Sequence, residues 1–268
     1  MSYVDVKKLQ RHFGTAWIDR EIENRARHQA TRQRFELQRR AATVARTLAL
    51  TPRMRRIEFH APALASFQSA SHDDHVKLLF PDGQSRHVTP RSFDPRAATV
   101  TIDFALHGAG SASSWAANAR AGDALAIGGP RGSHVVPDDF DWYLLVGDES
   151  ALPAIGRRLE ELRKDVPVTT VVAIADRAER QDIATRAAWQ PVWLERGEPS
   201  ADDAERVRRA VAALTVPAGD GHVWVAGEAS LARGVRDQLL ERGHPREWLR
   251  ASGYWQRGAS DAHVDLDR

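Results

Sequence analysis

From residue 41 to about residue 137, apolar and polar positions alternate with a period of two. Val44-Ala-Arg-Thr-Leu48, Met54-Arg-Arg-Ile-Glu-Phe59, His75-Val-Lys-Leu-Leu-Phe80 and Thr99-Val-Thr-Ile-Asp-Phe104 each read as a half-buried strand. Turn chemistry separates them at Thr51-Pro52, Pro81-Asp-Gly83 and Ala121-Gly-Asp123. Short strands at this spacing, interrupted by an Ala-rich helix from Trp115, predict a small antiparallel barrel. After Asp141 the rhythm changes. Trp142-Tyr-Leu-Leu-Val-Gly147 is a continuous apolar run ending in glycine, as a buried parallel strand should be.

A helix is expected from Leu152 to Lys164, a strand from Thr169 to Ala175 and another from Pro191 to Leu194. A helix from Ala201 to Leu214, a strand from His222 to Ala226 and a helix from Ser230 to Arg242 follow. Strands alternating with helices in this way predict a doubly wound parallel sheet. The domain boundary falls between Val136 and Trp142. Residues 1–40 are polar and arginine-rich, with apolar residues too sparse for a clear stripe, and read as a helical extension. From Arg25 to Arg40 six arginines face one glutamate. A solvated helix face is the expected meaning, with a partner-binding arm as the alternative. The division is therefore 1–40, a helical extension; 41–138, a barrel; and 139–268, an α/β domain.

Composition narrows the chemistry. A chain of 268 residues with 42% hydrophobic residues can bury a real core. No run approaches the roughly 18 apolar residues of a membrane span, and no signal-peptide apolar region is recognisable at the amino terminus, so a cytoplasmic location is expected. With no cysteine there are no disulfides, cysteine-held iron–sulfur clusters or thiol redox chemistry. If electrons move here, an organic cofactor must carry them. A net charge of +2 does not point to nucleic acid. His72, Asp73, Asp74 and His75 invite a metal reading, but neighbours along a strand point to opposite faces, and no metal site is expected.

The segment Arg91-Ser-Phe-Asp-Pro-Arg96 puts two guanidinium groups in a turn before a strand, and the strand ends in the small-residue loop Gly108 to Ser114. Guanidinium forks bind phosphodiesters bidentately, and such a loop opening a helix offers bare N–H groups at the positive end of the helix dipole. A dinucleotide cofactor needs both.

With these residues in view, the chain resembles the siderophore-interacting proteins, FAD-dependent ferric-siderophore reductases built like the ferredoxin-NADP reductases. The resemblance runs from about Thr43 to Gly258. It rests on Arg91-x-Phe-Asp-x-Arg96 against the family's Arg-x-Tyr-Thr-x-Arg, on Asp103-Phe-x-x-His-Gly108, on Ala112 to Ala116, and on Gly129-Pro-Arg-Gly132. Gly147-Asp-Glu-Ser-Ala-Leu-Pro-Ala154, Trp224-Val-Ala-Gly-Glu228 and Gly253-Tyr-Trp-Gln-Arg-Gly258 complete it in the family's order.

The resemblance implies an α+β two-domain fold: an antiparallel FAD-binding barrel, then an α/β nicotinamide-nucleotide domain. It implies that Arg91, Ser92, Phe93, Asp94 and Arg96 lie along the FAD, Arg91 on phosphate, Phe93 on the isoalloxazine and Asp94 beside N5. Asp94 there is either an anion or a carboxylic acid held neutral by burial. His107, Gly108, Ala112 and Ser113 are implied on the adenosine and phosphates. Asp148, Ala226 and Gly227 are implied on the nicotinamide nucleotide, with Glu228 and Asp94 as the residues nearest the chemistry. After the next strand, Asp176 suits a ribose 2′-hydroxyl, while Arg177 or Arg180 suits a 2′-phosphate, which leaves NADH and NADPH both open. A basic rim for an anionic ferric siderophore is expected at Lys77, Arg53, Arg55 and Arg56. The implied activity is ferric-siderophore reduction, with electrons passing from NAD(P)H through FAD. An NAD(P)H flavin reductase with another acceptor, or a non-catalytic flavin- or siderophore-binding relative, is the alternative.

Overall fold

The period-two stretches form strands because their apolar residues fill one shared interior. In this computed structural model, which describes residues 27–106, 110–200, 202–258 and 264–266, Ile57, Val76, Leu78, Val100, Ile102 and Ile127 are all fully buried together. Each such side chain contributes about 1.5–3 kcal/mol relative to exposure. The strands are β2 (Arg39–Thr51), β3 (Met54–His60), β4 (Val76–Leu79), β5 (Ser85–Val88), β6 (Ser92–Asp94), β7 (Thr99–Ala105) and β8 (Ala124–Gly128). They pair antiparallel in the order β5-β4-β8-β2-β3-β7-β6. Helix α1 (Ser111–Asn118) closes one end, with Trp115 against the rings of Phe59, Phe80 and Phe104.

No pairing joins the two edge strands, β5 and β6, among the described residues. Thr89, Pro90 and Arg91 carry the chain from one edge to the other, so the edges lie within about 14 Å of each other. The seven-stranded antiparallel sheet thus curls into a barrel shape left open along one seam.

The second domain is a six-stranded sheet of order β12-β11-β10-β13-β14-β15. Five strands are parallel: β10 (Trp142–Asp148), β11 (Pro167–Ile174), β12 (Ala188–Glu195), β13 (Gly221–Glu228) and β14 (Leu249–Trp255). The sixth, β15 (Val264–Asp265), runs antiparallel to β14. Helices α3 (Asp203–Ala213) and α4 (Ala229–Glu241) cover one face over Val146, Val171, Val223 and Val225. Helix α2 (Leu152–Glu161) covers the other, over Tyr143, Leu145 and Trp224, and this core reaches Met54 of the barrel.

Two expectations change. The helix expected to reach Arg40 gives way to β1 (Thr31–Arg34), which pairs antiparallel with β9 (Gly132–Val135), and Arg39 already belongs to β2. All four β1 residues are exposed, so no apolar alternation marked the strand. Gly132 is required there, because a Cβ would strike the Gln33 carbonyl. Residues 1–26 of that extension lie outside the described residues. Strand β14 was not expected: its Ala251-Ser-Gly-Tyr run lacks a strand signature and is held by pairing to β13.

The domains are tied by charge as well as by apolar contact. The Arg157 guanidinium of α2 donates to Ser69 Oγ at 2.7 Å and to the carbonyls of Ser69 and Pro90, both at 3.1 Å. Arg250 pairs with Asp73, and Glu179 accepts from the Arg53 N–H and from Thr51 Oγ1. Among the described residues no helix is long and apolar enough to cross a membrane.

Candidate active site

The open seam of the barrel faces α2 and the end of β14. Arg91, 5% exposed, leaves the seam toward α2, where both terminal nitrogens donate to the Glu160 carboxylate and Nε lies 3.7 Å from Asp103. Gly156 lets it pass: a Cβ there would sit 3.1 Å from the guanidinium. Arg91 is therefore an interdomain clasp, with its charge already matched by two carboxylates, and this geometry does not support the phosphate contact expected of it.

The residues after it also face elsewhere. The Phe93 ring packs edge-on against Phe67 at 5.3 Å and beneath the Arg157 guanidinium at 5.8 Å. Ser92, Asp94 and Arg96 are exposed. Asp94 Oδ1 accepts from the N–H groups of Arg96 and Ala97 at 2.8 and 3.2 Å, an Asx turn that folds the loop on itself. Exposure removes the reading of Asp94 as an acid kept neutral by burial. Its carboxylate shapes a surface turn.

The family spacing fits a second time, five residues earlier. Arg86-His-Val-Thr-Pro-Arg91 matches Arg-x-Tyr-Thr-x-Arg at Arg86, Thr89 and Arg91, with Val88 in the aromatic position. Here the structure brings a site together. Thr89 is buried at the seam and hydrogen-bonds the Tyr254 hydroxyl, which also reaches Asp73 at 3.3 Å. Burial pushes the Tyr254 phenol well above its usual pKa, so it stays a neutral donor. Arg86 is half-buried and donates to the Ser85 carbonyl at 2.7 Å and to Gln84 Oε1 at 3.4 Å. Both arginines had been visible in the sequence. The aromatic at Phe93 drew the motif to the wrong register, and only the partners of Arg91 and the burial of Thr89 correct it.

Gly110 caps α1 with extended backbone, and the first N–H groups of the helix have no intrahelical partner. The Ser111 hydroxyl is buried there without a hydrogen-bond partner. Ser113 Oγ donates to the Ala105 carbonyl at 3.1 Å, and Ala112 packs on the barrel core. His107 and Gly108, expected to complete this loop, lie outside the described residues.

Across the cleft, the carboxyl ends of β10, β13 and β14 share one rim. Asp148, 3% exposed, accepts from Ser150 N–H at 2.9 Å, Glu228 N–H at 2.8 Å and Trp255 Nε1 at 2.9 Å. Its carboxylate knits the three strand ends, which places it as a framework residue of the rim. Gly227 has φ +142°, and a Cβ would sit 2.7 Å from Asp148 Oδ2, so only glycine allows this approach. Ala226 is fully buried.

Glu228 caps α4, accepting from Ser230 N–H at 2.7 Å and Leu231 N–H at 3.3 Å. Burial works against its charge, but these bonds and one from the Arg257 N–H outweigh it and hold the carboxyl below its usual range. A capped, ionised Glu228 is poorly suited to proton transfer, which corrects the reading of it as catalytic. Asp176 likewise caps a short turn through the Ala178 N–H, and Arg180 pairs with Glu195.

A cavity of about 500 Å³ separates the rim from the barrel, lined by Arg53, Leu106, Asp148, Glu149, Arg196 and Trp255 among others. Arg257 joins its wall and donates to the carbonyls of Pro199 and Ser200. Of the expected basic rim only Arg53 lines it. Arg55 donates to Thr47 Oγ1 at 2.9 Å and to the carbonyls of Ala117 and Ala119, and Arg56 grips Asp103 with two bonds of 2.7 Å. Lys77 is exposed on β4, opposite His87 of β5. Arg196, which pairs with Glu149, was missed because nothing in its local sequence marks it, and Arg257, although inside the Gly253–Gly258 motif, was given no role. Only the fold gathers them. No cluster of metal-ligating side chains is present among the described residues.

A family model described as siderophore-interacting protein matches residues 140–258, and one described as siderophore-interacting FAD-binding domain matches residues 43–88 and 82–134. The chain is 32% identical to the NADPH-dependent ferric-chelate reductase of Escherichia coli over 84% of this chain and 95% of that one. It belongs to the siderophore-interacting proteins. Among curated relatives, the ferric vibriobactin reductase ViuB of Vibrio cholerae is 26% identical over 80% of this chain and 88% of its own. The crystal structure of a siderophore utilization protein from T. fusca superposes with a TM-score of 0.82 at 34% identity, over 87% of this chain and 98% of that one.

The residues present fit the FAD that this family binds. The orphaned Ser111 hydroxyl and the first N–H groups of α1 suit a pyrophosphate, and Arg86 stands on the edge strand that leads into the seam. The interdomain cavity gives room between the barrel and the rim.

Proposed function

We propose that this protein is an FAD-dependent reductase of ferric siderophores, acting in the cytoplasm with NADPH as donor. The observation that carries the reading is an interdomain cavity of about 500 Å³ between the barrel and the strand-end rim of a parallel sheet. When bound, FAD accepts a hydride, two electrons, from reduced nicotinamide and delivers them one at a time to two ferric ions. Arg86 and the α1 amino terminus hold the pyrophosphate. Thr89 presents its hydroxyl to the flavin edge, oriented by the neutral Tyr254 phenol. Val88 offers an aliphatic face where an aromatic ring would stack. The Asp148–Trp255 bond fixes Trp255 in the cavity wall. Arg257 supplies positive charge for an anionic chelate, while Arg53 is paired with Glu198 of the same wall.

The test is reconstitution with FAD, followed by NADPH-driven reduction of ferric chelates read with a chromogenic ferrous chelator. Stoichiometric FAD and turnover are expected. A parent protein that takes up no FAD, or an Arg86→Ala variant that holds it as tightly as the parent, would overturn the reading.

A further inference from the structure

The interdomain cavity has no surplus of positive charge to offer an anion. Its wall sets Arg53, Arg196 and Arg257 against Asp148, Glu149 and Glu198. Glu149 and Arg196 are paired with each other, their side chains 13 and 5% exposed. Glu149 is the first residue beyond β10, whose neighbours β11 and β13 lie on opposite sides of it. In an open parallel sheet the crevice outside the carboxyl ends of such strands is where the ligand lies. A nucleotide bound there meets Glu149 and Arg196, which stands just past the end of β12.

The other acids near this pair have donors of their own. Asp148 accepts from the N–H groups of Ser150 and Glu228 and from the Trp255 indole. Asp203, on α3 with Oδ2 3.6 Å from Arg196 Nε, accepts from the Ser200 N–H at 2.9 Å and the Ser200 hydroxyl at 3.1 Å. Glu228 caps α4, and Glu198 pairs with Arg53 at 2.9 Å. Arg257, the remaining cation of the wall, donates to the carbonyls of Pro199 and Ser200. Glu149 differs. Apart from its own N–H, Arg196 is the only donor its carboxyl has among the described residues. Burial holds that carboxyl above the usual range; Arg196 opposes the rise and Asp148 adds to it.

We propose that Glu149 is a proton-linked positioning residue for the electron donor: a phosphate of the nicotinamide nucleotide replaces Glu149 on Arg196, and Glu149 takes up a proton from solvent as it lets go. This rests on the reading of the cavity as the place where the nucleotide binds. An ionised Glu149 would repel the phosphate across a weakly screened gap, whereas the protonated acid donates a hydrogen bond to it. Asp203 stays beside Arg196 and keeps the guanidinium in place. No covalent bond changes, and the one proton gained is released when the nucleotide leaves.

The test is isothermal titration of NADP+ into the FAD-loaded full chain, in pairs of buffers that differ in ionisation enthalpy, so that protons are counted along with affinity. Near pH 7 the 2′-phosphate, with a second pKa of about 6, has mostly lost its own proton. The parent should take up protons there, approaching one per nucleotide, and its affinity should fall as pH rises by up to about tenfold per unit. Glu149→Gln keeps the shape and removes the charge. It should bind NADP+ roughly tenfold more tightly near pH 8 and take up no proton. A purely structural Glu149 would change stability and leave the proton count alone. A parent that binds NADP+ without proton uptake overturns the inference and leaves the donor reading standing, and so does a Glu149→Gln variant with the parent's proton count. If that variant does not fold, the parent's count decides alone. Failure of NADP+ to bind the FAD-loaded parent overturns the donor reading and the inference together.

Discussion

The segments Arg86–Thr89 and Phe93–Arg96 come from two matches to one spacing, offset by five residues, and meet opposite fates. The first runs along an edge strand into the seam, where Thr89 is buried against Tyr254. The second folds into an Asx turn and ends in solvent. Arg91 stands between them and belongs to neither: two carboxylates hold it against α2. Spacing selects candidates, but what neutralises each charge decides its task. A buried guanidinium already matched by carboxylates, as Arg91 is, joins domains.

The largest way to break this contrast is Arg91→Ala. It leaves Glu160 without its cation and Asp103 with Arg56 alone, and a loss of about 2–3 kcal/mol is expected, read as a fall in Tm of roughly 5–10 °C. FAD content after reconstitution should survive in whatever fraction stays folded. Selective loss of FAD at unchanged stability would restore Arg91 to the cofactor.

Arg86→Ala should do the reverse. A charge-assisted phosphate contact contributes about 1.5–3 kcal/mol, so FAD affinity should weaken roughly 10- to 150-fold while Tm of the apoprotein stays near the parent's. Fluorescence titration with FAD separates these outcomes.

A finer test concerns the opposite rim. The folded-state pKa of Glu228 is depressed, so its contribution to stability is full above the unfolded value and is lost as pH falls through the folded one. Glu228→Gln should therefore lower stability near neutral pH and flatten the acid limb of a Tm-versus-pH curve. A pronounced loss of turnover with unchanged stability would mean that Glu228 acts in the chemistry after all.

The smallest effect is expected at Asp94. Asp94→Asn keeps an Asx acceptor, so stability should change by less than about 1 kcal/mol. The flavin potential, followed by spectroelectrochemistry across pH, should be indistinguishable from the parent's. A clear shift would return Asp94 to the flavin edge.

Periodicity alone was enough for most of the architecture. The period-two runs at Met54–Phe59 and Thr99–Phe104 and the unbroken apolar run at Trp142–Gly147 each placed a strand within a residue or so of its true bounds, because burial on one face or on both leaves a local record. Where neither face is buried, as in β1, no record exists and a helix was expected instead. Family order likewise implied FAD and a nicotinamide nucleotide as cofactors. What the chain by itself could not decide was which charges are used up. Glu160 lies 69 residues beyond Arg91, Trp255 lies 107 beyond Asp148, and Glu160 and Glu161, close to Arg158 in sequence, pair instead with Arg91 and Arg157. Electrostatic partnership depends on distance and burial in space, and those are properties of the packed chain alone.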